Sequence, residues 1–168
     1  MIIRRLIAED ALRYWQTRNA GLQELPYAFT SSYQEGLALA PEVLAKRFGG
    51  ADSDDFVLGA FGLSGELAGS VGFQREAREK NRHRGTLIGM YVTPPFRSHG
   101  LGKKLALALI EQARAIDGLE QINLTVTHCN ESARQLYLQL GFMPFGIERR
   151  AIKVDGVYYD KEYMALML

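Results

Sequence analysis

Apolar and polar positions along this chain follow two recurring rhythms. Alternating or unbroken apolar runs, the patterns of half-buried and fully buried strands, occur at IIRRLI (2–7), FVLGAF (56–61), LAGSVGFQ (67–74), TLIGMYV (86–92) and QINLTVTHC (121–129). The end of the chain alternates on either side of Asp155-Gly156, a pair suited to a hairpin turn between two more strands. Elsewhere apolar residues recur three and four apart, the period of a helix with one buried face. This holds for Ala11, Leu12, Tyr14 and Trp15, running to about Ala20, for PEVLAKRF from Pro41, for Leu101, Leu105, Leu109, Ile110 and Ala113, and for Ala133, Leu136, Tyr137 and Leu140. Asp10, Pro41 and Asn130 suit helix starts, while Gly49-Gly50 and Gly141 suit helix ends. The pattern predicts a mixed α/β fold of seven strands and about four helices, in one domain over residues 1–168.

Composition narrows the partners. Hydrophobic residues at 47%, charged residues at 23% and a net charge of +1 describe an ordinary globular protein, with no demand for nucleic acid. The basic stretch REAREKNRHR lacks interleaved aromatics and reads as a solvated loop, with Arg82 or Arg84 free to help neutralise a phosphate. No uncharged run approaches the roughly 18 apolar residues of a membrane span, so a cytoplasmic location is expected. Cys129 is alone, which rules out an internal disulfide and multi-cysteine zinc, and His83 and His99 lack a ligand spacing, so no metal is expected.

The chemistry concentrates after the run TLIGMYV, which Pro94 and Pro95 stop. Gly100 and Gly102 follow, then a helix, and this unit leaves the first helical N–H groups without acceptors and the positive end of the helix dipole outward. Glycines let backbone approach an anion, and Arg97, Lys103 and Lys104 add positive charge, so a phosphate or pyrophosphate is the expected guest. The loop is not a P-loop, because Arg97 stands where its first glycine belongs and Lys104 follows Lys103 in place of Ser or Thr. It is not a dinucleotide loop either, because Leu105 occupies the third glycine's place.

What remains, Arg97-x-x-Gly100-x-Gly102 after a strand ending Met90-Tyr91-Val92, resembles the acyl-CoA-binding motif of the GNAT N-acetyltransferase superfamily. A second, separate motif of that family, N-x-x-A-x-x-L-Y-x-x-x-G-F, matches Asn130, Ala133, Leu136, Tyr137, Gly141 and Phe142. The resemblance covers about residues 86 to 142; the flanking segments agree only in their order of elements. It implies a central, mostly antiparallel seven-stranded sheet whose motif-bearing strands part like a V to admit acetyl-CoA. The loop Arg97, Ser98, His99, Gly100, Leu101, Gly102 and Lys103 would hold the pyrophosphate, and Met90, Tyr91 and Val92 would offer main-chain groups to the pantetheine arm and acyl carbonyl. Asn130 would bind the same arm, and Tyr137 would protonate the leaving thiolate. Periodicity alone reads Tyr137 as core and Asn130 as a cap.

The base is open. The strand TLIGMYV carries no carboxylate, and the candidates elsewhere are Glu24, Glu35, Tyr91 and His128, with Glu24 favoured for its place in an aperiodic stretch (20–36) that reads either as a loop packed by its aromatics or as an acceptor wall. His128 and Cys129 point to opposite faces of a strand and do not make a nucleophilic pair. The expected activity is direct acetyl transfer from acetyl-CoA to an amine of a small molecule or protein. The alternative is an acyl-CoA-binding regulatory domain without catalysis. No nucleic acid or membrane partner is expected, and a homodimer is left open.

Overall fold

A computed structural model describes all 168 residues. The chain runs β1 (Ile2–Arg5), α1 (Ala11–Glu24), α2 (Tyr33–Ala38), α3 (Pro41–Ala45), β2 (Phe56–Phe61), β3 (Leu67–Arg75), β4 (Arg84–Val92), α4 (Leu101–Arg114), β5 (Gln121–Thr127), α5 (Glu131–Gln139), β6 (Met143–Val154) and β7 (Val157–Met167). The strands form one sheet in the order β1-β2-β3-β4-β5-β7-β6. Every pairing is antiparallel except β4 with β5, so the expected architecture is found.

Strand β2 shows why its run is unbroken rather than alternating. Phe56, Leu58 and Ala60 face a core shared with Leu105, Leu109 and Ala113 of α4. Val57 and Phe61, one position out of phase, face Tyr14 of α1, Leu44 of α3 and Phe48. Successive strand residues point to opposite faces, so a sheet covered on both sides needs apolar residues at every position.

Two helices differ from expectation. α1 continues past Ala20 to Glu24, because Gly21 does not end it but lets it touch the sheet: a Cβ at Gly21 would lie 2.9 Å from the Tyr91 ring. Asp10 does not cap α1 through its side chain; its buried carboxylate takes the Arg4 guanidinium at 2.6 and 3.0 Å and the Ile7 N–H at 3.0 Å. α2 is an addition within the aperiodic stretch. A reciprocal capping box starts it, in which Glu35 N–H donates to Ser32 Oγ at 3.1 Å and Ser32 N–H donates to Glu35 Oε2 at 2.7 Å.

Candidate active site

The site begins with a fault in β4. Opposite β3, Ser70 pairs with Tyr91 and Gly72 with Ile88, so Gly89 and Met90 together face the single residue Val71. Gly89 has φ +60°, the left-handed conformation that a bulge of this kind demands and that glycine adopts at least cost. Beyond the parallel pairs Arg84–Gln121, Gly85–Ile122 and Thr86–Asn123, β4 and β5 have no further partners in each other. The strands part, and the main-chain groups on the β5-facing edge of β4 are left for something else. A cavity of about 290 Å³ fills the gap, lined by Thr86–Tyr91 of β4, Thr125–Thr127 of β5, and Asn130, Ala133 and Tyr137. Gly89 was not singled out from sequence, although an isolated glycine inside a strand pattern is a recognised bulge signal.

At the open end of β4 the chain turns through Pro94–Phe96 and enters α4. Ser98 and Gly100 both have positive φ (64° and 72°), and Gly100 caps α4 without any side-chain hydrogen bond. The N–H groups of Ser98, His99, Gly100, Leu101, Gly102 and Lys103 make no backbone hydrogen bond; that of Lys104 is the first to find one, at Gly100 O, 3.1 Å. A run of unpaired donors at a helix start, with the dipole behind it and the exposed Lys103 and Lys104 beside it, offers the groups an anion binds.

Arg97 is placed otherwise than the sequence suggested. Its Nε donates to Val92 O at 2.9 Å, and its two Nη groups donate to Glu24 Oε1 and Oε2 at 2.6 and 2.7 Å. Tyr91 Oη donates to the same Glu24 Oε2 at 2.7 Å. The Arg97 charge is therefore offset, and its side chain ties the loop to the end of α1. Glu24, favoured above as the base, is held down to about 2 by the guanidinium first and the phenol second. Tyr91 is pushed up to about 12 by burial and by Glu24. Neither is a ready proton acceptor, Glu35 is occupied in the cap of α2, and His128 is exposed and does not line the cavity.

Glu24 is about a third exposed, so its pair with Arg97 is worth at most about 1 kcal/mol. Because the folded carboxyl lies below its ordinary 4.5, that stability is complete above pH 4.5 and disappears as pH falls toward 2. The stability gap between wild type and Glu24→Gln in urea titrations is expected to be up to about 1 kcal/mol at neutral pH and to close in acid.

The second motif is largely helix architecture. Asn130 Oδ1 accepts from Ala133 N–H at 3.3 Å and so caps α5. At the other end Gly141 has φ +91°, its N–H donates to Leu138 O at 3.0 Å, and Phe142 N–H donates to Tyr137 O at 3.0 Å. This is a Schellman ending, and its hydrophobic pair is Tyr137 on Phe142, ring centroids 5.7 Å apart. The Tyr137 ring is thus fixed by the helix end while its hydroxyl makes no hydrogen bond within the chain. Burial alone raises its pKa, keeping the phenol protonated.

Residues 12–142 match the family model described as the acetyltransferase (GNAT) family. Among curated proteins the chain is similar to a ribosomal protein bS18-alanine N-acetyltransferase of Haemophilus ducreyi, 36% identical over 84 residues, covering 49% of this chain and 57% of the relative. An uncharacterized N-acetyltransferase of Azospirillum brasilense is 41% identical over 66 residues, 38% of this chain and 39% of the relative. These alignments span between about two fifths and three fifths of the relatives' length. In structure the chain is similar to an acetyltransferase of the GNAT family from Streptococcus pneumoniae, with TM-score 0.89 and 28% identity over 99% of both chains. It shares its fold with a GNAT superfamily phosphinothricin acetyltransferase from Sinorhizobium meliloti solved with AcCoA, at TM-score 0.84 and 20% identity, over 99% of this chain and 88% of that one.

Proposed function

The chain belongs to the acetyltransferase (GNAT) family, and on that premise we propose that it transfers the acetyl group of acetyl-CoA directly to a primary amine. The observation that carries the reading is the run of unpaired amides from Ser98 to Lys103, opening beside a strand edge that has lost its neighbour. Pyrophosphate on those amides and pantetheine along β4 would lead the thioester into the cavity beside Tyr137. The amine nitrogen then attacks the thioester carbonyl. Main-chain N–H groups on the free edge of β4, that of Val92 among them, would receive the developing oxyanion. Collapse breaks the C–S bond, the thiolate takes the Tyr137 proton, the amine's surplus proton passes to solvent, and the Tyr137 phenolate takes a proton back from solvent. No helix of the chain is long and apolar enough to cross a membrane, which suits the cytoplasm as the place of reaction.

With no carboxylate lining the cavity, the amine must arrive neutral. For an α-amine near pKa 7.7–8.0 this costs under about 1 kcal/mol at about pH 7.5, whereas a lysine side chain near 10.4 costs about 4. The dependence of kcat/KM on pH is therefore expected to rise through the pKa of the acceptor itself and to move with it when acceptors of different pKa are compared. A rise fixed between pH 4 and 6 for every acceptor would instead reveal an enzymatic carboxylate base.

The testing experiment is calorimetric titration with acetyl-CoA alongside thiol release across a panel of primary amines. Binding with amine-dependent release supports transfer. The engagement of Glu24 favours one second reading, a regulatory domain that binds acyl-CoA without transfer; it predicts binding and no thiol release with any amine.

A further inference from the structure

Three cations line the cavity and no acid does: Arg18 of α1, Arg47 from the turn after α3, and Lys161 of β7. None of them takes part in any of the chain's salt bridges. Nη1 of Arg18 has lost solvent contact and has no hydrogen-bond partner. α2 closes over it, with Gly36 leaving the room: a Cβ there would stand 3.3 Å from that nitrogen. Lys161 Nζ bonds only the neutral Thr30 Oγ1, at 2.7 Å, with the charge of Glu148, its register partner on β6, acting on it without a bond. Burial works against the charge on Arg18 and on Lys161, and Arg47 repels Arg18 further. Glu35 is the one acid whose field reaches Arg18, and it is exposed and held by the Ser32 N–H. Nε and Nη2 of Arg18 also make no hydrogen bond but are not closed off, so a ligand oxyanion in the cavity could take them and supply the counter-charge the guanidinium lacks.

Resting on the transfer reading above, we propose that the acceptor amine also carries an oxyanion, a carboxylate or a phosphoryl group, received by Arg18 with Arg47 and Lys161 flanking it. Tyr14 links this charged end to the reacting edge. Its ring is buried on α1, its phenol feels both Arg18 and Arg47, and its hydroxyl lies 4.0 Å from where a Cβ on Gly89 would be. An acceptor anchored at Arg18 therefore points its other end toward the bulge in β4. The volume, about 290 Å³, lies at the small end of the roughly 300–1,000 Å³ usual for ligand sites and must also admit the acetyl thioester. Leu25 and Ala28–Ser31 line the cavity, and their segment is tied down by Thr127 Oγ1 donating to Tyr27 O at 2.7 Å, besides Lys161 on Thr30. This enclosure favours a molecule of amino-acid size over a protein tail. The same cations disfavour the acceptor's ammonium form and so assist a reaction that has no carboxylate base.

Thiol release from acetyl-CoA should be measured with matched acceptors: α-amino acids, their carboxamides, and aminoalkylphosphonates of similar length. With each rate referred to the neutral fraction of its own amine, the acids are expected to exceed the carboxamides in kcat/KM by about 10- to 100-fold, the factor of a charge-assisted hydrogen bond made or left unmade. Carboxylates outrunning phosphonates, or the reverse, identifies which oxyanion the site takes. In Arg18→Gln the ratio should fall toward one through acceptor KM. Arg47→Gln, on an exposed residue that the fold does not need, should lower the ratio in the same direction even if Arg18→Gln folds poorly. Turnover that, per neutral amine, is equal or better with carboxamides overturns the charge assignment alone. No turnover with any amine, while acetyl-CoA still binds, overturns the transfer reading and this inference with it.

Discussion

Gly102→Glu is expected to weaken acetyl-CoA binding by at least about 100-fold, or about 2.8 kcal/mol, while leaving the protein folded. The position is the second residue of α4, where an acidic side chain is favoured by the helix dipole by about 0.3–1 kcal/mol and loss of a helical glycine by about 1 kcal/mol more. There is room for the new side chain to start, because a Cβ at Gly102 would sit 3.5 Å from Leu136 Cδ2 and 3.9 Å from Val92 Cγ2, ordinary contact distances. Thermal stability should hold or rise. The ligand should meet the opposite: a carboxylate among the six unpaired amides proposed to hold its pyrophosphate. Arg97→Ala is the informative comparison. Its guanidinium is already matched by Glu24, so its removal should reduce affinity by about tenfold or less, part of it through a looser loop, at a stability cost of about 1 kcal/mol or less. Titration of both variants by calorimetry decides the matter. Abolished binding in Arg97→Ala with retained binding in Gly102→Glu would mean that side-chain charge, not backbone, holds the phosphates.

That contrast marks the boundary of what the sequence could reveal. The seven strands were visible because their signals are local: β2 is apolar at every position, and the β6–β7 turn is Asp155-Gly156, with φ of 47° and 83°. The loop amides were visible because two glycines and a helix start lie within a few residues of each other. Glu24 and Arg97 are 73 positions apart, and nothing in either neighbourhood announces that one neutralises the other. The sequence thus offered each as a separate functional charge. Arg18, Arg47 and Lys161 are a stronger case, since they come from a helix, a turn and the seventh strand and converge only because the sheet order brings β7 beside β5. α2 was missed for a different reason. Its capping box Ser32-x-x-Glu35 stood in the sequence, but six residues with only Gly36 buried leave no apolar stripe to read. Tyr137 could be placed from either of two grounds, core periodicity or the family motif, and both describe it: the ring belongs to the core of α5, and the hydroxyl is left over.

That leftover hydroxyl sets up the second large effect. Tyr137→Phe is expected to lower kcat by about 10²- to 10⁴-fold, the range of a lost general acid, with little change in acetyl-CoA affinity or melting temperature. The substitution removes one oxygen that has no hydrogen-bond partner in the chain, while the ring contact with Phe142 and the Schellman backbone bonds at Tyr137 O and Leu138 O persist. Stability therefore has nothing to lose except the burial of a hydroxyl, whose removal from an unpaired position is neutral or favourable. The phenol is suited to the task because burial raises its pKa, so it is fully protonated wherever the acceptor amine begins to be neutral. It cannot act as the base over that range, and a single proton donated to the thiolate is the role its protonation state permits. Acceptors should not alter the size of the defect, since the leaving group is always the same thiolate. Measuring kcat for Tyr137→Phe with acetyl-CoA and with an acyl donor whose thiol is more acidic sharpens the test. A leaving group that needs less protonation should recover part of the rate. An equal defect with both donors would assign Tyr137 to positioning the thioester, and an unchanged kcat would remove it from the chemistry altogether.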